Sequence, residues 1–503
     1  MRARLLLSLA SALALVSLPA CFLFHGGKEA NILLVVVESL RYDAISNASG
    51  AARTPNLHAL VADGTAFRSC FSHSPSTQPA LASLLSSRLP HEHGLMHNGD
   101  ELSEGVALLP EWLGKRGYQT FAAFGLASSA PARRGHGLDR GFGRVVTFPH
   151  ELADASDVLD SFDAFLDGAV KKRPWFGMLQ FTETRQPFDA GEDDRVEASV
   201  IRDGEEPETI SIGDSCFWER TASLPPGRTR FTIHGDVPMR ILRFGAKSGA
   251  RQLHVVFERG AAIEPGKDFV ISVENPDADP LTCELEGWFH DAPSLAASRK
   301  RYRHEIEAVD DAIGRLVEDL KARGIYEQTV IVLTSDHGLA LGEHDALGRG
   351  DALFDEFLHV PLLIKPLKDD SRAPELALSV SDVTRLADVV PTLLDLSDVS
   401  PMPGAGGGTL LEHRRRELIA ETHTGESAGS VFALRDERFK LLLGSQTNRF
   451  SMYDLRSDTL EQEDVFPLQG QNKPEWQRRL GALVGGVHAP RPHPDTRFEA
   501  LGY

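Results

Sequence analysis

Two places in the chain put metal-type ligands directly after a run of apolar residues. Asn31-Ile-Leu-Leu-Val-Val-Val37 runs into Glu38-Ser39, and Thr329-Val-Ile-Val-Leu333 runs into Thr334-Ser335-Asp336-His337-Gly338. Two carboxylates and one imidazole, from Glu38, Asp336 and His337, suit one divalent cation such as zinc, manganese, magnesium or calcium. Either place alone carries little weight. An Asp-His pair in a loop is commonly just solvated, and a single acidic residue after a strand commonly caps the next helix.

The flanking patterns say what must position these residues. A continuous apolar run rich in β-branched residues is a strand buried on both faces, typical of a parallel sheet. In such sheets ligands sit beyond the carboxyl ends of the strands, which is where Glu38 and Asp336 fall. Helices predicted over Leu108 to Gly117 and Val158 to Val170 alternate with strands predicted over Thr120 to Phe124 and Trp175 to Phe181, an α/β pattern. Tyr302, Ile306, Val309, Ile313, Leu316 and Leu320 recur every three or four residues, one buried face of a long helix. Between these halves, Val196 to Phe289 alternates with a strand period and is punctuated by Pro225-Pro226-Gly227 and Pro265-Gly266. After Gly404-Ala405-Gly406-Gly407-Gly408, hairpin-like strands are predicted at Val431 to Arg435 and Phe439 to Leu443. The expected fold is α/β, with a central, largely parallel sheet and helices on both faces, formed by residues 31–190 and 296–410. An all-β, sandwich-like insert is expected at 191–295 and a small α+β subdomain at 411–503.

The chain has 503 residues, 42% hydrophobic and 25% charged, with a formal net charge of −19. That composition is globular, and the acidic balance argues against a nucleic-acid partner. Arg2 and Arg4 precede an apolar run from Leu5 to Leu18, too short to span a bilayer comfortably. The run ends Leu18-Pro19-Ala20-Cys21, which resembles a bacterial lipobox. The resemblance implies removal of residues 1–20, lipidation of Cys21, and a membrane-anchored protein facing the periplasm or the cell surface. Of the other cysteines, Cys216 and Cys283 both fall in the insert and form a candidate disulfide for an exported protein. Cys70 is expected to be a buried thiol.

Several separated motifs resemble, in order, the alkaline phosphatase and sulfatase superfamily. They are the strand ending in Glu38-Ser39-Leu40-Arg41, then Thr54-Pro55-Asn56-Leu57, Ser76-Thr77-Gln78-Pro79-Ala80-Leu81 and Pro90-His91-Glu92-His93-Gly94. Further along come Thr334 to Gly338, Gly342-Glu343-His344, Gly348-Arg349-Gly350, Val360-Pro361-Leu362 and Asp388-Val389-Val390-Pro391-Thr392. The resemblance implies that Thr77 is the nucleophile at the start of a helix, whose open N–H groups and dipole favour an anionic ester. It implies that Glu38, Thr77, Asp336 and His337 share one metal ion, the set of the lipoteichoic acid synthase branch. Asn98, Arg185 and Arg349 fall at positions expected to contact substrate. His91, His93 and His344 rank lower, as structural or surface histidines.

The departures from the family bear on the reaction. Conventional sulfatases convert a Cys or Ser to formylglycine in a Cys/Ser-x-Pro-x-Arg context. Here the position is Thr77, which cannot form that aldehyde, and Leu81 stands at the Arg position. Arg185 replaces the family's histidine in Arg185-Gln186-Pro187-Phe188, and the Lys-Trp-His segment is missing after Phe121. The expectation is a metal-dependent hydrolase or transferase of phosphate esters of envelope lipids or glycans, acting through a covalent Thr77 intermediate. A sulfate or phosphonate ester hydrolase is the alternative. A non-catalytic envelope protein that binds glycans is the reading from another class.

Overall fold

The computed structural model describes residues 30–484, less short segments of which 126–135 and 186–195 are the longest. Cys21, Cys216 and Arg349 lie outside the described residues, as does the expected leader.

The apolar runs form one eight-stranded sheet. From one edge its strands are Thr384–Arg385, Thr65–Phe71, His359–Lys365, Thr329–Ser335, Asn31–Val37, Trp175–Phe181, Gln119–Phe124 and Arg144–Thr147. Neighbours are parallel except at His359–Lys365, which runs antiparallel to both of its partners. The α/β class with a mostly parallel sheet is therefore as the sequence leads one to expect. The reversed strand is not marked in the sequence, because an apolar run reads the same in either direction.

The register aligns the strand ends. Val37 pairs with both Ser335 and Phe181, so Glu38 and Asp336 leave the sheet side by side at its carboxyl edge. Asn31–Val37 sits in mid-sheet, which is why its whole sequence is apolar. One face of the sheet packs Ile32, Leu34 and Val36 against Leu81, Leu84 and Leu85 of the helix Thr77–Ser86. The other face packs Leu33, Val35 and Val37 against the helices Ala155–Gly168 and Ala292–Ala322. Tyr302, Ile306, Val309, Ile313, Leu316 and Leu320 form the buried stripe of the long helix.

Between these halves, strands from Val196 to His290 form two five-stranded antiparallel sheets. Phe231, Ile233, Ile271 and Val273 of one sheet share a core with Ile241, Phe244 and Leu285 of the other. Cys283 is buried there and Cys70 is a free, buried thiol in the main core. Burial pushes the Cys70 thiol well above its ordinary pKa. Beyond the main domain, Leu418–Thr424, Gly429–Arg435, Phe439–Gly444 and Arg449–Asp454 form a four-stranded antiparallel sheet. It docks on the main sheet through Leu418, Ala420 and Ala433 against Phe71 and Leu358. Among the described residues no helix is long and apolar enough to cross a membrane.

Candidate active site

Glu38 is held by a backbone that the sequence makes unusual. The sheet ladder continues one residue past the strand, with the Glu38 N–H donating to the Phe181 carbonyl at 2.9 Å. Ser39 then takes a left-handed conformation (φ 60°), uncommon for a residue with a Cβ. Its N–H donates to Asp336 Oδ1 at 3.0 Å, and the Leu40 N–H donates to Ser335 Oγ at 2.9 Å. The Tyr302 hydroxyl donates to the Ser39 carbonyl at 2.7 Å and accepts the Arg41 N–H at 2.9 Å. The turn after the first strand is thus bolted to the end of its neighbour, and Thr184 adds a hydroxyl hydrogen bond to the Glu38 carbonyl.

At the second strand end, one carboxylate oxygen is engaged and the other is not. Asp336 Oδ1 accepts the N–H groups of Ser39 and of His337, the latter at 2.8 Å. Asp336 Oδ2 is buried and accepts no hydrogen bond. His337 Nδ1 lies 2.7 Å from the Gly338 carbonyl, which can only accept, so Nδ1 carries the proton. The lone pair of Nε2 therefore faces the cluster, the arrangement of a metal-ligating histidine oriented through its other nitrogen. Nε2 lies 3.5 Å from Asp336 Oδ2.

Ligand atoms of Glu38, Asp336 and His337 lie within 4.8 Å of one another, and all three residues are fully buried. Thr77 joins them. Its Oγ1 is 3.2 Å from His337 Nε2 and 3.4 Å from Glu38 Oε1, and it too is fully buried. The sequence separations of 39 and 260 residues are closed by the register described above. Two buried carboxylates share this space, and the Arg185 guanidinium approaches Glu38 Oε1 at 3.8 Å. Burying an ion costs several kcal/mol unless its charge is compensated, so the donor set fits a divalent cation held by Glu38, Asp336 and His337, with Thr77 beside it.

The helix bearing Thr77 differs from expectation at its first turn. The Gln78 N–H donates to Asn98 Oδ1 at 2.9 Å, and Gln78 Oε1 accepts the Gly99 N–H at 2.7 Å. Pro79 has no N–H, and the Ala80 N–H bonds to Ser76. The helix end is therefore capped by Asn98 rather than open along its first turn. Asn98 sits close to Thr77, but its carbonyl oxygen serves the helix.

Arg185 is buried beside Glu38. The lower-ranked histidines stand outside the cluster. His93 lies 3.1 Å from Ser83 Oγ, and burial pushes its pKa down to about 3. His344 pairs with Glu356 at 2.8 Å. His91 pairs with Glu421 at 2.7 Å, and His423 meets the other oxygen of Glu421 at 3.2 Å. Those two hydrogen bonds hold the Glu421 carboxyl at about 2, against the burial that opposes them. Sequence reasoning missed Glu421 and His423, since a polar pair on a tail strand reads as a solvated face. It also missed Tyr302 as more than core, and Glu183, whose carboxyl accepts the Ala155 N–H and is pushed up to about 7 by burial. No local sequence signal marks any of these.

Comparison with known proteins fixes the family. The Sulfatase family profile matches residues 30–399. The chain belongs to the sulfatase family. That family of ester hydrolases lies within the alkaline phosphatase superfamily, and its members use a divalent metal ion. An N-acetylglucosamine-6-O-sulfatase of Bacteroides thetaiotaomicron is 23% identical, over 87% of this chain and 83% of its own length. A multifunctional alkaline phosphatase superfamily protein of Trinickia caryophylli is 26% identical, over 73% of each. The crystal structure of a phosphonate monoester hydrolase of Agrobacterium radiobacter superposes with a TM-score of 0.62 at 19% identity, covering 91% of this chain and 96% of the other.

Proposed function

We propose that this sulfatase-family chain cleaves or transfers an anionic ester, a phosphate ester first, through a covalent intermediate on Thr77. The observation that carries this reading is Thr77 Oγ1, placed 3.2 Å from His337 Nε2 and 3.4 Å from Glu38 Oε1 in a cluster able to hold a metal ion. Glu38, Asp336 and His337 would hold a divalent cation, which would supply Lewis acidity towards the threonine hydroxyl and the ester oxygens. Glu38 Oε1 takes the hydroxyl proton as Thr77 Oγ attacks phosphorus in line. The bond to the leaving alcohol oxygen breaks, and that oxygen leaves with the bond's electron pair. Water, or an acceptor alcohol, then attacks the phosphorylated Thr77 and releases it. Arg185, always charged, draws the anionic ester towards Glu38 and Thr77. Arg349 is assigned the same task from its motif alone.

Sulfate esters are the second reading, favoured by relatives such as the N-acetylglucosamine-6-O-sulfatase of Bacteroides thetaiotaomicron. A glycan is the substrate class these relatives support, and the lipobox-like Cys21 supports an exported, anchored enzyme acting on the cell envelope. The test is turnover of nitrophenyl phosphate mono- and diesters, a phosphonate ester and a sulfate ester by metal-loaded protein and by Thr77→Ala. Metal-dependent turnover lost in Thr77→Ala is expected, and the fastest ester names the class. Turnover that survives Thr77→Ala, or no turnover of any ester with metal bound, overturns the reading.

A further inference from the structure

We propose that a cavity at the junction of the main sheet and the C-terminal strands is a second binding site, for a neutral, hydroxyl-rich ligand such as a sugar unit. Its volume is about 350 Å3, within the range of about 300–1,000 Å3 seen for small-ligand sites. Its walls come from the segments that flank the ester centre. Arg41 follows Glu38, Glu343 follows His337, and Asp355 and Glu356 lie in the short helix Asp355–Leu358. Arg435 enters from the C-terminal sheet, and Thr459 and Leu460 form an exposed rim.

A backbone wall separates this cavity from the metal-type cluster. The Gly338 N–H donates to the Phe357 carbonyl at 2.7 Å. A Cβ at Gly338 would lie 2.2 Å from the Glu356 carbonyl oxygen and 3.2 Å from Arg41 Cγ. Arg41 Nη1 donates to the Leu339 carbonyl at 3.1 Å. Arg41 and Glu356 thus pack against the segment Gly338–Leu339 that follows His337, and Glu38, Thr77, Asp336 and His337 do not line the cavity.

The lining chooses the ligand class. An anion is disfavoured, because the two arginines of the lining are already engaged, Arg41 with Asp43 and Glu343 and Arg435 with Asp355. Burial pushes the His359 pKa down to about 4, so this imidazole adds no positive charge at neutral pH. A metal ion is disfavoured too, because three of the four carboxylates already have a cationic partner and the fourth, Glu356, has a histidine. Asp43 and Glu343 are met by Arg41 at 2.7 and 3.1 Å, Asp355 by Lys440 at 2.6 Å, and Glu356 by His344 at 2.8 Å. What remains is hydrogen-bonding capacity without net demand for charge. Paired carboxylates keep spare acceptor sites. On the donor side, Arg435 Nε is buried and makes no hydrogen bond, although the guanidinium stacks 3.7 Å over Phe71. A hydroxyl donates and accepts at once and so matches both kinds of group. Leu455, and Leu460 at 65% exposure, offer an apolar surface for the C–H face of a sugar ring.

The test is binding of N,N′-diacetylchitobiose and of cellobiose to the full chain, by calorimetry and saturation-transfer NMR. Neither sugar carries an ester or a charge, so the result does not depend on turnover. Thr459→Trp fills the mouth from an exposed position and leaves the core intact. Arg435→Lys keeps the charge beside Asp355 but not the Nε donor. At least one sugar is expected to bind wild type and Thr77→Ala equally, and about tenfold or more weaker to Thr459→Trp and Arg435→Lys. Nitrophenyl ester turnover by Thr459→Trp should be unchanged. No binding of either sugar to wild type overturns the proposal. Binding that survives Thr459→Trp, or that is lost in Thr77→Ala, also overturns it and places the sugar elsewhere.

Discussion

At the carboxyl edge of the sheet, Glu38 and Asp336 are fully buried, and the Arg185 guanidinium stands 3.8 Å from Glu38. Where the C-terminal strands dock, Glu461 is also buried and Asp355 is half-buried, but Lys440 meets Asp355 at 2.6 Å and Glu461 at 2.7 Å. Arg435 adds a second contact to Asp355 at 3.3 Å. The docking site matches two acids with two bases, and Lys440 itself is fully buried. The sheet edge leaves Asp336 Oδ2 without a hydrogen bond and a histidine lone pair pointing the same way. Buried charge alone therefore does not mark a functional centre in this molecule. An unmatched carboxylate oxygen such as Asp336 Oδ2 is what a cation from outside would neutralise.

The largest expected break in this comparison is Asp336→Asn. Metal binding measured by calorimetry should weaken by about 100-fold or more, and ester turnover should fall by roughly 10^3-fold. In chelator the same variant should unfold at a higher temperature than wild type, because it removes an uncompensated charge. A lower unfolding temperature in chelator would mean that the sheet-edge charges are already balanced. Lys440→Met makes the opposite change at the docking site, leaving Asp355 and Glu461 with one base fewer. It should destabilise by about 3–5 kcal/mol, read as a clear fall in thermal unfolding temperature with or without metal. The double variant Lys440→Met, Glu461→Leu should recover much of that loss.

The two regions were not equally legible in the sequence. Glu38, Asp336 and His337 follow apolar runs, and a strand end in a parallel sheet is where ligands gather. The motif around Thr77 then completed the cluster across 260 residues. The docking network gave no such signal. Lys440 lies in the strand Phe439–Gly444 among leucines, and a lysine there reads as an outward-facing residue until its partners are seen. Asn98 was legible as a neighbour of the centre but not as the cap of the Thr77 helix, because a cap 20 residues away has no local pattern. The reversed strand His359–Lys365 was invisible for the reason of symmetry given above. Periodicity shows which residues are buried, and the long-range pairing decides what each buried polar group meets.

The docking site also predicts a pH dependence. Burial raises the Glu461 carboxyl to about 7, while Arg435 and Lys440 hold Asp355 below the usual range, so Asp355 takes the larger share of the cationic charge. A folded-state pKa above the ordinary value of 4.5 means that the folded protein binds the extra proton between those values. Its stabilising effect is complete below about 4.5 and is lost as pH rises through about 7. Buried neutral histidines such as His93 and His359 make stability rise with pH towards 6.5, so Glu461 is read by difference: between pH 5 and pH 7.5 the unfolding temperature of wild type should fall relative to that of Glu461→Gln. Equal slopes in the two proteins would show that Lys440 keeps Glu461 ionised throughout.

The smallest effect is expected at Ser39, and it tests whether the sheet edge holds its ligands by backbone alone. Ser39 has φ 60°, a conformation that glycine adopts without strain, and its buried Oγ makes no hydrogen bond. Ser39→Gly removes both penalties but adds conformational freedom to the unfolded chain, which offsets part of the gain. The net should be a stabilisation of about 0.5–1 kcal/mol. Metal affinity should stay within a factor of about three, since the contact that matters is the Ser39 N–H to Asp336 Oδ1 at 3.0 Å, and glycine keeps it. Calorimetric titration of the variant and its thermal unfolding check both numbers. A destabilised variant with weakened metal binding would make the Ser39 hydroxyl part of the ligand set. The metal would then be held by three side-chain oxygens and one nitrogen, with Thr77 beside them, and the contrast with the docking site would rest on ligand number as well as on charge.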